Sequence, residues 1–104
     1  MEFLVEFDVN VPDGAPESEV KDRERAEAFA ARTLAEEGHL VRIWTRDGKV
    51  LGLYRADSRS ELDRLLRTLP LYDWMQVAVT PLEAHPNDPA VQMIASHQRS
   101  VGSD

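Results

Sequence analysis

One carboxylate, Glu27, interrupts the apolar stripe of a helix-like stretch, "AEAFAARTLAEEGHL", from Ala26 to Leu40. At about 100° per residue, Val20, Glu27 and Leu34 fall nearly in line, and Ala30 and Ala31 flank that line three and four positions on. Glu27 therefore points where small apolar residues point, and the alanines leave room beside it. Glu24, three positions earlier, could approach from the same side. Two readings follow. In one, Glu27 sits at the edge of a shallow stripe and snorkels to solvent or pairs with Arg23. In the other it is a carboxylate in a partly apolar pocket, with its charged form disfavoured, its pKa raised and proton transfer near neutral pH within reach. Phe29 points away from the stripe, so the periodicity alone leaves both readings open.

Other residues could join such a site. Arg42 and Trp44 share a strand face, either as an interface pair or as a pocket wall in which Arg42 binds an anion. Tyr54 and Arg55 alternate, so at most one of them lines the same pocket. His39, His85 and His97 show no HxH or HxxxH spacing, and there is no cysteine. Neither a metal site nor a thiolate nucleophile is expected, and no cofactor motif is present. Ser58 reads as a helix cap rather than a nucleophile, since no GxSxG or phosphate loop surrounds it. The net charge of −7 argues against a nucleic-acid partner. It leaves room for a small anionic substrate, because a few local arginines can outweigh the global field. No apolar run reaches signal or membrane length, so a cytoplasmic location without a membrane partner is expected.

The elements that would position these residues are legible from their periods. The 104 residues, 42% hydrophobic and 30% charged, suit one globular domain. The expected domain covers residues 1–89, with a tail over 90–104. "EFLVEFDVNV" (2–11) alternates as a strand, with Phe3, Val5, Phe7 and Val9 on one face. A helix is expected from about Glu17 to Glu37, with Ser18 as candidate N-cap and Gly38 as its stop. "HLVRIWT" (39–45) is a second strand whose Leu40, Arg42 and Trp44 share a face. Asp47-Gly48 makes a hairpin to a third strand, 50–56. Ser58 and Glu61 form a capping box for a second helix with the stripe Leu62, Leu65, Leu66 and Leu69, ended by Pro70. "WMQVAVT" (74–80) is the last strand, and a tail starts at Pro81.

The order β-α-β-β-α-β predicts an α+β, ferredoxin-like protomer: a four-stranded antiparallel sheet with both helices on one face. The other face would carry Leu4, Leu40 and Trp44 uncovered, which predicts at least a dimer through that face. The tail, with two prolines around His85 and apolar Val91, Met93 and Ile94, is expected to pack on another subunit.

Three segments carry a family resemblance: "MEFLVEFDVNVP", "EEGHLVRIW" and, most specific, "LPLYDWMQVAVTPLEAHPNDP". Together they resemble the muconolactone δ-isomerase family, from Met1 to about Pro89. The resemblance implies a ferredoxin-like fold with dimeric α+β barrel packing, and decamers in characterised members. It implies a cofactor-free allylic proton shift that converts muconolactone to 3-oxoadipate enol-lactone in the β-ketoadipate pathway of aromatic compound catabolism. Counting back from Gly38, the family's proton-shuttling glutamate falls on Glu27. Arg42, Trp44, Arg23 and Tyr54 are the candidates for binding a small anionic lactone. The chain departs from the best-known members at Glu24, where they have a lysine, and at Val50, Gly52 and Leu53, where their third strand bears aromatic and amide side chains. The alternatives on the same scaffold are a lactone dehalogenase, a cofactor-free oxygenase or a non-catalytic oligomeric binding protein.

Overall fold

In β1 (Glu2–Val9) the alternation of residue types becomes an alternation of environment: Phe3, Val5 and Phe7 are buried and Glu6 is exposed. The structure is a computed structural model that describes residues 1–91. After β1 come α1 (Glu17–Glu36), β2 (Leu40–Arg46), β3 (Lys49–Arg55), α2 (Arg59–Leu66), one 3₁₀ turn (Tyr72–Trp74) and β4 (Met75–Leu82). The strands form one sheet in the order β2-β3-β1-β4, and every neighbouring pair is antiparallel. Leu34 of α1 and Leu62 and Leu66 of α2 join Phe3, Val5, Phe7, Leu40 and Tyr54 in one core. Both helices therefore cover the same face of the sheet, and the architecture is α+β.

Local chemistry accounts for most boundaries. Asp47 and Gly48 both take positive φ, 50° and 78°, which fits the two-residue turn joining β2 to β3. Gly38, at φ 83°, takes the left-handed conformation that ends α1. Ser58 caps α2 by accepting from the Glu61 N–H at 3.0 Å. The return bond of the expected box goes one residue further out, from the Asp57 N–H to Glu61 Oε1 at 2.9 Å.

Three expectations are corrected. Ser18 is not the cap of α1: Pro16 precedes the helix without a side-chain cap bond, and its carbonyl already accepts from Val20 N at 3.1 Å. Leu40 does not share a face with Arg42 and Trp44. The β2–β3 register slips between Leu40 and Arg42, so Leu40 pairs with Tyr54 while Arg42 pairs with Leu53. The extra residue, Val41, lets Leu40 turn into the core while Arg42 and Trp44 stay on the open face. Finally, β4 runs through Pro81 to Leu82. It is an edge strand paired only with β1, where a proline without an N–H is tolerated. The tail thus starts later than expected. Its Met93, Ile94 and His97, and with them most of the expected packing on another subunit, lie outside the described residues.

Candidate active site

Between α1 and the covered face of the sheet lies a cavity of about 310 Å³. α1 contributes Glu24, Glu27, Ala28 and Ala31; β1 contributes Phe7 and Val9; Ile43, Val50 and Tyr54 come from β2 and β3. Leu71 and Met75 close it. Its polar side chains are two carboxylates and one phenol, in an otherwise aliphatic and aromatic wall.

The half-buried Glu27 is held from across the cavity's edge. Its Oε1 accepts from the Leu71 backbone N–H at 2.9 Å. Its other oxygen has no hydrogen-bond partner among the described residues. Burial raises the pKa of Glu27 above its usual 4.5, and the Leu71 N–H offsets that only in part. Of the two readings of the stripe, the partly apolar pocket is the one this geometry supports.

Arg23, one helical turn earlier, holds the other side of the same peptide group. Its Nη1 donates to the Pro70 carbonyl at 3.1 Å, and its guanidinium lies 4.3 Å from the centre of the Trp74 ring. It pairs with Glu19 at 3.5 Å rather than with Glu27. The Pro70–Leu71 peptide is thereby clamped, carbonyl by Arg23 and N–H by Glu27. The segment Leu69 to Trp74 is fixed to α1 by this pair.

The five sequence-derived candidates thus separate. Glu27 and Tyr54 meet in the cavity. Arg23 lies beside it, committed to the Pro70 carbonyl and Trp74. Arg42 and Trp44 stack on each other, with the guanidinium 5.1 Å from the ring centre, on the open face of the sheet. The sheet separates them from the cavity within one protomer. The Leu71 N–H was missed by sequence reasoning, because a backbone donor carries no residue-type signal. Ile43 was not singled out, although the alternation that puts Arg42 and Trp44 on the open face also turns it inward; the bulge at Val41 changes the facing of Leu40 instead. Among the described residues, no group of three histidine, aspartate or glutamate side chains could hold a metal ion. No helix among them is long and apolar enough to cross a membrane.

The family model described as muconolactone delta-isomerase matches residues 1–88. The chain belongs to the muconolactone delta-isomerase family. It is 37% identical over 92 residues to Muconolactone Delta-isomerase 1 of Acinetobacter lwoffii, covering 84% of this chain and 93% of that protein. It is 34% identical over 89 residues to the Muconolactone Delta-isomerase of Cupriavidus pinatubonensis, covering 84% of this chain and 97% of that one. A crystal structure of muconolactone isomerase superposes with a TM-score of 0.79 at 24% identity, covering 86% of this chain and 95% of the other. That likeness establishes a shared fold. Glu24 lines the cavity, and Gly52 underlies the Tyr54 ring.

Proposed function

We propose that the protein is a muconolactone delta-isomerase-like enzyme that shifts a proton, and with it a C=C bond, in a small unsaturated lactone acid. The carrying observation is Glu27: one oxygen anchored on the Leu71 N–H, the other unpartnered, in a largely apolar cavity. Such a carboxylate is basic enough to take an activated C–H proton and, once protonated, acidic enough to return it. The proton removed lies γ to the lactone carbonyl. As that C–H bond breaks, its electron pair forms the new C=C bond, the old C=C pair moves toward the carbonyl carbon, and the carbonyl π pair becomes an oxyanion. Collapse of the dienolate restores the carbonyl, and the α-carbon takes the proton back from Glu27. The single carboxylate serves both positions from one face of the ring.

The lactone ring is placed in the cavity. Its carboxylate arm is placed at the mouth, since neither Arg23 nor Arg42 is among the lining residues. We further propose the ferredoxin-like class for the fold, a sheet-to-sheet dimer as the minimal assembly and a cytoplasmic role in aromatic compound catabolism. Family membership supports each of these. The experiment is ultraviolet absorbance on muconolactone with wild type and Glu27→Gln. Turnover should fall by at least about 10²-fold in the variant, the usual lower scale of general acid–base catalysis. Equal rates would remove Glu27 from the mechanism.

A further inference from the structure

We propose that Tyr54 is a catalytic hydroxyl, donating its O–H to the lactone carbonyl oxygen as that oxygen becomes the dienolate oxyanion, and that Gly52 is the residue that lets its ring lie where this is possible. The proposal rests on the lactone-isomerase reading and assigns the electrophile which that reading leaves open.

The ring of Tyr54 belongs to the core: the residue is 2% exposed, and the ring meets Phe7 edge-on at 6.0 Å and 61°. The hydroxyl behaves differently. It makes no hydrogen bond among the described residues, yet it is not one of the fully enclosed atoms that would be stranded there. A tyrosine used only for packing normally satisfies its O–H. Tyr54 lines the same cavity as Glu27. The position depends on the neighbour two residues back on the same face. A Cβ at Gly52 would stand 2.5 Å from Tyr54 Cε1 and 3.2 Å from Cδ1, so the ring lies across the place where a side chain at 52 would be. The glycine costs β-strand stability, and the ring is what fills the space it leaves. Burial and the Glu27 carboxylate both raise the pKa of the Tyr54 hydroxyl. It therefore keeps its proton and can only donate to an oxyanion. It also meets Glu27 in complementary states, since the carboxylate is neutral when the oxyanion exists.

The balance of the step is unchanged by this assignment. The proton moves from the γ-carbon to Glu27 and from Glu27 to the α-carbon, while the Tyr54 proton stays on its own oxygen. The donor stabilises the dienolate more than the neutral lactone, so its loss should appear in kcat rather than in KM.

Tyr54→Phe keeps the ring and should lower kcat by about 10²-fold or more with little change in KM, the scale seen when one oxyanion donor is removed. Its melting temperature should not fall, because the hydroxyl has no partner in the fold. Gly52→Ala should lower kcat by displacing the ring, and should add little when the hydroxyl is already gone. Binding provides an arm independent of turnover. Tetronate, a stable lactone enolate, is titrated by calorimetry into Glu27→Gln, whose amide mimics the protonated carboxyl. Adding Tyr54→Phe should weaken tetronate roughly tenfold or more while leaving a neutral butenolide unchanged, as expected for a charge-assisted hydrogen bond. An unchanged kcat in Tyr54→Phe overturns the proposal. So does tetronate binding that is absent from Glu27→Gln or insensitive to the hydroxyl. If the wild type turns over no unsaturated lactone but tetronate binding still needs Tyr54, the isomerase reading fails and the donor assignment stands.

Discussion

Glu27 is held on an apolar stripe at a cost to stability. Its carboxylate is half-buried, with one N–H donor and a largely apolar surround, and burial raises its pKa above 4.5. The folded state thus binds the Glu27 proton more tightly than the unfolded chain does. Stability contributed by this site is greatest below the ordinary value of 4.5 and is lost as pH rises through the raised folded-state value. Glu27→Gln should remove that slope and leave the protein at least as stable as wild type at neutral pH, since an amide oxygen can still accept from Leu71. Denaturant unfolding at several pH values reads this directly; a destabilised Glu27→Gln would mean that the carboxylate is structural. The activity limb runs the other way, since the base must be ionised: kcat/KM should rise with pH through a value above the ordinary glutamate range. Arg23 should tune that limb. By gripping the Pro70 carbonyl it holds the Leu71 N–H on Glu27. Arg23→Met should therefore move the limb to higher pH, and an unmoved limb would show that the peptide holds its place without the clamp. That Glu27 lies in line with Val20 and Leu34 was legible from seven-residue spacing, which left open whether it faced a pocket or solvent. Its donor was not, because the Leu71 N–H lies 44 residues away and is backbone.

At the scale of elements, the strand and helix periods read well wherever one period ran unbroken. β1, α2 with its Ser58 cap, and the Asp47-Gly48 hairpin are of this kind. β2 is different. Strict alternation placed Leu40 beside Arg42 and Trp44, and one inserted residue reversed it. A bulge is chosen by packing on both sides of it at once: Leu40 fills the core at the start of the strand and Ile43 walls the cavity at its middle. No local propensity encodes that pair of demands. Deleting Val41 leaves Leu40 and Ile43 two residues apart, where simple alternation keeps both on the inner face, so the variant should fold with stability near that of wild type. A loss of about 2–5 kcal/mol on urea unfolding, the range for emptying a buried leucine site, would show that Leu40 had left the core and that Val41 is not the inserted residue. The Gly52–Tyr54 pair belongs to this scale too. Alternation puts both on the inner face, but only the three-dimensional ring position shows that the glycine makes room for the tyrosine.

For the molecule as a whole, the two faces of the sheet have different fates. The inner face is closed by both helices and holds the cavity. The outer face has no covering element among the described residues. Its rows follow from the register: Arg42, Leu53, Leu4 and Thr80 lie across one line, and Trp44, Leu51, Glu6 and Ala78 across the next. Leucines at the centre with charged and polar residues around them make a surface suited to a second sheet, and Trp44, 40% exposed, is its largest side chain. Leu53 sits between Leu4 and Arg42 in the first row. Leu53→Arg removes an apolar contact from each subunit, roughly 1.5–3 kcal/mol per buried leucine. In a symmetric dimer it also places a new cation beside Arg42 on both subunits. The variant should fold, because position 53 points away from the core, and it should sediment as a smaller species than wild type at micromolar concentration. Wild type should be at least a dimer under the same conditions. A monomeric wild type, or a Leu53→Arg variant with an unchanged assembly, would show that this face is not where the subunits meet.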